Sequence, residues 1–140
     1  LILIGILKGA FIFLSDLIRR LTIPVKVDFM CVSSYGSGTS SSGRIKLSKD
    51  VDIDIKNKDV LIVEDIVDTG LTLSHLVDYL QSSGAASVRI CTLIDKRERR
   101  ETDVIVDYAC HTVEKGFLVG YGLDYAEFYR NLPEVYHLKL

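Results

Sequence analysis

Cysteine is scarce and odd in number. Cys31, Cys91 and Cys110 lie within or beside apolar runs, with no C-x-x-C spacing, which excludes a disulfide framework and fits buried thiols in a reducing cytoplasm. His75, His111 and His137 are scattered, and none has a Cys or second His at ligand spacing, so a zinc site is not supported. There is no G-x-x-x-x-G-K-[ST], and Gly36-Ser-Gly38 sits in a serine-rich stretch with no third glycine and no helix after it. A P-loop and a dinucleotide fingerprint are thereby both excluded. An excess of one charge is lacking too. With 17 basic and 19 acidic residues the formal net charge is −2, which gives no general affinity for nucleic acid, although local basic clusters can still bind phosphates. The opening apolar stretch is interrupted by Lys8 and followed by no cleavage signal, so nothing there reads as a secretory or membrane segment. The sequence begins with Leu, not Met, and the chain is expected to lack its native N-terminal segment.

The 140 residues are 48% hydrophobic, enough for one domain that buries a core without disulfides or metal. Leu1 to Ile6 reads as a buried strand. Phe11, Leu14, Leu17, Ile18 and Leu21 then recur at helical spacing, and Pro24 precedes a second strand over Val25 to Val32, which together make a βαβ unit and an α/β fold. Residues 33–43 are almost wholly Ser and Gly and cannot bury apolar area. They are expected to form a mobile loop, either an inert linker or a lid in which Tyr35 makes a contact on closure. Arg44 to Leu47 and the stretch before Asn57-Lys58 suggest a hairpin-like excursion. Val60 to Val63 is a short continuous run rich in β-branched residues, the signature of a strand covered on both faces. Leu73, Leu76, Val77 and Leu80 then mark an amphipathic helix that stops near Ser82-Ser83-Gly84. Val88 to Ile94 forms another buried strand, and short strands are expected near Val104 to Val106 and Phe117 to Val119.

The chemistry concentrates in Val60 to Gly70. Glu64 and Asp65 follow the central strand, where open α/β sheets place their ligand crevice. Thr69, Gly70 and Thr72 make a small-residue turn opening a helix, which offers free amides and the positive end of a helix dipole to a phosphate. Adjacent carboxylates can accept hydrogen bonds from two neighbouring hydroxyls, as on a ribose. Asp68 then lies near a reacting carbon, where a carboxylate stabilises an oxocarbenium-like state and accepts a proton. The alternative is that Asp68 merely caps the following helix. Glu64, Asp65 and Asp124 supply hard oxygen donors, which suit Mg²⁺ shared with water and substrate phosphates.

Val60 to Thr72 resembles the phosphoribosyl-pyrophosphate-binding motif of the type I phosphoribosyltransferases, and the other segments resemble the hypoxanthine or hypoxanthine-guanine branch in its compact bacterial form. The resemblance covers nearly the whole chain. It implies a mostly parallel twisted sheet flanked by helices, with a small C-terminal hood over about residues 110–140. It also implies purine salvage: hypoxanthine, and guanine with it, reacts with phosphoribosyl pyrophosphate to give the nucleoside monophosphate and pyrophosphate with Mg²⁺, in a cytoplasmic homodimer or homotetramer. By resemblance Glu64, Asp65, Asp68, Thr69, Gly70, Leu71 and Thr72 hold the phosphoribosyl group. Lys8 and Gly9, after a Leu7–Lys8 peptide that is often cis in the family, bind pyrophosphate together with Arg100 and Arg130. Ser34 and Tyr35 begin the lid. Lys96 meets the purine 6-oxygen, Phe117 stacks on the base, the backbone of Leu118 reads its edge, and Ile66 and Asp124 complete the purine side.

Read without the family, Lys8 is a solvated strand-end lysine, Lys96 to Arg100 an exposed charged turn, Phe117 a core residue and Arg130 a surface ion-pair member. Gly116 departs from relatives, which often carry a charged residue before the stacking Phe. A second hypothesis is a regulator of the same fold that senses nucleotides and binds nucleic acid. The net charge of −2 and the absence of an appended domain in this sequence count against it.

Overall fold

The computed structural model describes residues 1–34 and 45–140. Ten elements follow in order: β1 (Ile2–Leu7), α1 (Phe11–Ile18), β2 (Lys26–Ser34), β3 (Ile45–Lys49), β4 (Asp59–Val67), α2 (Leu71–Ser82), β5 (Ser87–Lys96), β6 (Tyr108–Val113), β7 (Leu118–Val119) and β8 (Tyr136–His137). The six-stranded sheet has the order β3-β2-β1-β4-β5-β6. All its pairings are parallel except that of β3 with β2. β7 and β8 form a separate antiparallel pair, the small hood. The mostly parallel α/β sheet is therefore as expected, whereas the excursion expected between Arg44 to Leu47 and the stretch before Asn57 differs: β3 pairs back on β2 and, among the described residues, no strand forms between β3 and β4. Tyr35 and the rest of the expected lid to residue 43 lie outside the described residues; Ser34 ends β2.

Alternation along β1 separates two cores. Ile2, Ile4 and Ile6 pack with Ile62, Leu73, Leu76 and Leu80 under α2, whereas Leu3 packs with Val63, Phe13 and Leu14 under α1. A central parallel strand buried on both faces explains why β1 and the start of β4 read as unbroken apolar runs. From β1 the chain moves outward to β2 on one side, then returns to place β4 on the other. The strand order therefore reverses between β1 and β4, and a crevice opens at their carboxyl ends.

Three local readings change. α1 ends at Ile18, before Leu21, because the amides of Arg20 and Leu21 bond back three residues to Leu17 and Ile18, closing the last turn tightly ahead of Pro24. Val104 to Val106 is not a strand; Val104 and Val106 pack on the core under α2 instead. The strand comes later, as β6, whose six residues are exposed or only partly buried and so show no apolar alternation to read. Cys110 lies on β6 and is exposed, whereas Cys91 is buried and Cys31 half-buried.

Candidate active site

β4 runs on past its apolar stretch to Val67, carrying Glu64 and Asp65 within the strand. β1 pairs with β4 only as far as Gly5 and Val63, so beyond that point one edge of β4 faces the crevice. There the acids engage their own backbone: the Asp65 amide donates to Glu64 Oε1 at 2.9 Å and the Ile66 amide to Asp65 Oδ1 at 2.7 Å. Burial, reinforced by the neighbouring charge of Asp65, pushes the Glu64 carboxyl well above the usual carboxylate range.

The turn after β4 is held from behind. Arg100 donates to the carbonyls of Asp68 (3.0 Å), Lys96 (3.3 Å) and Val67 (3.4 Å) and pairs with Asp95. The amides of Glu101 and Thr102 donate to the Thr69 carbonyl at 2.9 and 3.1 Å. Its carbonyls are engaged by this segment, and Asp68, Thr69, Gly70 and Thr72 line the crevice at the start of α2. No acidic residue occupies the first turn of α2, so the positive end of the helix is left for an anion. Gly70 occupies the N-cap position with φ 86° and has no side chain to cap the helix, while the Leu71 amide donates to Thr69 Oγ1 at 3.3 Å. Asp68 is therefore not the cap. Its Oδ2 lies 3.4 Å from Arg99, and its Oδ1 is buried without a hydrogen-bond partner among the described residues.

Across the crevice, the Leu7–Lys8 peptide is cis and Gly9 lies against Asp65, whose carboxylate occupies the place a Cβ on Gly9 would take. Gly122, at φ 100°, packs in the same manner on the Gly9 carbonyl. Only glycines allow the two loops and the strand end to approach this closely. Arg130 donates to Gly122 O at 2.7 Å and lies 3.4 Å from Asp124; its Nε is buried without a hydrogen-bond partner among the described residues.

The crevice encloses about 300 Å³ and is lined by Gly9, Glu64, Asp65, Ile66, Asp68, Thr69, Gly70, Thr72, Asp124 and Arg130, among others. Lys8, Leu71, Lys96, Arg100, Phe117 and Leu118 lie outside that lining. Lys96 is nonetheless buried at the end of β5, unlike the exposed Arg97 and Arg99 beside it. Its Nζ is 3.8 Å from Glu98 Oε2, which also accepts the Gly116 amide at 3.4 Å. Glu98 thus ties Lys96 to the loop before Phe117. Phe117 is partly exposed, not a core residue, and meets Tyr125 edge-on with ring centroids 5.6 Å apart. Leu118 is buried in the hood, paired with His137. The unusual Gly116 has a local reason: at φ 114°, a Cβ there would lie 2.8 Å from His137 Nδ1.

Among the described residues, no three His, Cys, Asp or Glu side chains group to hold a metal. Glu64, Asp65 and Asp124 do line one crevice, and such hard oxygens could hold Mg²⁺ only together with waters and substrate phosphates. Sequence reasoning missed Glu98, Arg99 and Glu127, each of which has at least one partner far along the chain: Gly116, Asp68 and Lys8 respectively.

The comparisons agree with this geometry. The family described as the phosphoribosyl transferase domain matches residues 1–126. The chain is 51% identical over 138 residues to a hypoxanthine-guanine phosphoribosyltransferase of Streptococcus mutans, covering 99% of this chain and 77% of that one. It is 52% identical over 136 residues to the enzyme of the same name from Aquifex aeolicus, covering 97% and 76%. The crystal structure of a hypoxanthine phosphoribosyltransferase from Staphylococcus aureus superposes with a TM-score of 0.94 at 48% identity, over 99% of this chain and 75% of that one. With this sheet order, an acid pair and an anion-cradling turn at its switch point, and relatives this close, the chain belongs to the phosphoribosyltransferase family, in its bacterial hypoxanthine-guanine branch.

Proposed function

We propose that the chain catalyses purine salvage: hypoxanthine or guanine attacks the anomeric carbon of phosphoribosyl pyrophosphate through N9, giving the nucleoside 5′-monophosphate and pyrophosphate. The observation that carries this reading is the buried Asp68 Oδ1, without a partner among the described residues, at the turn before α2 in the crevice that also holds Glu64, Asp65 and Arg130.

Glu64 and Asp65 accept the ribose hydroxyls, and the backbone from Asp68 to Thr72, including Leu71, holds the 5′-phosphate with Thr69 and Thr72 hydroxyls. Asp68 receives the proton from purine N7 as positive charge develops on the base and ribose. Lys96 donates to the 6-oxygen, which favours oxopurines over adenine, since adenine would set a donor against the ammonium. Phe117 stacks on the base, with Ile66 and Asp124 beside it and the Leu118 backbone at its edge. Lys8, Gly9 and Arg130 receive the pyrophosphate. Arg100 acts from behind, fixing the Asp68 and Val67 carbonyls. Glu64, Asp65 and Asp124 would hold Mg²⁺, which when bound neutralises charge on the leaving pyrophosphate.

Free thiols at Cys31, Cys91 and Cys110 support a cytoplasmic setting. No helix among the described residues is long and apolar enough to cross a membrane. The exposed edge strand β6 supports association into a homodimer or homotetramer.

The test is Mg²⁺-dependent conversion of hypoxanthine, guanine and xanthine with phosphoribosyl pyrophosphate. Nucleotide and pyrophosphate released in equal amounts support the reading. Absence of turnover by folded protein that still binds the sugar donor would overturn it in favour of a nucleotide-sensing regulator.

A further inference from the structure

Two cations on the pyrophosphate side of the crevice share one carboxylate. Lys8 Nζ lies 2.7 Å from Glu127 Oε2, and Arg130 Nη2 lies 2.9 Å from Glu127 Oε1. Each oxygen of a single acid thus serves a cation from a different loop, one following β1 and the other preceding β8. Glu127 reaches both from an unusual backbone position, φ 71°, with its amide donating to Asp124 Oδ2 at 2.9 Å. The Lys8 and Glu127 side chains are 64% and 60% exposed, so burial does not lock the bridge and an arriving anion has access to it. Arg130, by contrast, is anchored by Gly122 and retains a buried Nε without a partner among the described residues. A carboxylate that gives one oxygen to each of two cations presents them with the charge pattern of a phosphoryl group.

We infer that Glu127 is a placeholder counter-ion, occupying Lys8 and Arg130 in the free protein and displaced from them by pyrophosphate. The inference rests on Lys8 and Arg130 being the pyrophosphate cations, as proposed above. It has a definite sign. A displaced competitor weakens pyrophosphate binding, so removing its charge tightens binding. A residue that served only to orient the two cations would do the opposite. Because the bridge is exposed, the effect is small and salt-dependent.

The test is calorimetric titration of the whole protein with Mg²⁺-pyrophosphate, comparing wild type with Glu127→Gln, Glu127→Ala, Lys8→Ala and Arg130→Ala. Both Glu127 variants are expected to bind roughly two- to fivefold more tightly at low salt, the scale of an exposed ion pair, with the gain shrinking at high salt. Tighter binding is not an outcome that misfolding produces. Equal or weaker binding by both Glu127 variants, while Lys8→Ala and Arg130→Ala weaken it, overturns the placeholder alone. If Lys8→Ala and Arg130→Ala leave pyrophosphate affinity unchanged, the assignment of the two cations fails, and the placeholder with it.

Discussion

The carboxylate of Asp65 lies over the α-carbon of Gly9, in the volume a side chain at position 9 would fill. Gly9→Ala must therefore displace either the strand-end acid or the loop after β1. Misplacing a substrate-positioning group by about 1 Å costs on the order of a hundredfold in rate. We expect kcat/KM for phosphoribosyl pyrophosphate to fall by about that factor in a protein that remains folded. Steady-state kinetics beside a thermal melt checks this, and near-normal kinetics would show that the contact is dispensable.

Asp68 is half-buried, with its Oδ1 enclosed and without a hydrogen-bond partner among the described residues, and it does not cap α2. Asp68→Asn keeps the shape and removes the proposed proton acceptor. The chemical step should slow by roughly 10²- to 10⁴-fold, with binding of the sugar donor retained. Single-turnover formation of the nucleotide measures it; an unchanged rate would remove Asp68 from the proton transfer.

Lys96 is buried at the end of β5 with a loose ion pair to Glu98 at 3.8 Å, and its proposed partner is the purine 6-oxygen. Lys96→Ala should raise the KM for hypoxanthine and narrow the preference for hypoxanthine over adenine, by roughly tenfold to a hundredfold. Competition between the two bases reads the preference directly. If the ratio stays constant, Lys96 does not meet the 6-oxygen.

Asp28 governs stability at a distance from the chemistry. Its carboxylate accepts the amides of Phe29 (2.7 Å), Asp52 (2.7 Å) and Ile53 (3.0 Å), with Lys49 at 3.6 Å. Burial alone would raise this carboxyl, yet the three amides and Lys49 together hold it below the usual range. A depressed value in the folded state means that the stabilisation is present above the unfolded value of about 4 and is lost as pH falls through the folded one. Asp28→Asn should cost about 1–3 kcal/mol near neutrality, and the gap to wild type should close in strong acid. Urea unfolding across that range checks it; a constant gap would contradict the assignment.

The sequence by itself determined the buried strands and the placement of chemistry beside them. Apolar runs rich in Ile, Leu and Val mark β1 and the start of β4, because strands covered on both faces favour apolar residues at successive positions, and Val88 to Ile94 marks β5 despite Arg89. The 3.6-residue period marks α2, and the order of acids, small turn and helix puts Glu64 to Thr72 at a strand end. Each of these signals lies within a few residues of its cause.

Tertiary structure alone decided what depends on neighbours far along the chain. Strand order set β1 against β4 and so brought Gly9 to Asp65. Edge exposure concealed β6, which carries no apolar alternation. Arg100 turned toward the backbone of the phosphate turn, Gly116 gave room to His137, and Glu127 came to bridge Lys8, 119 positions away. A local pattern records which face of an element is buried, but it holds no information on which distant loop arrives to meet it.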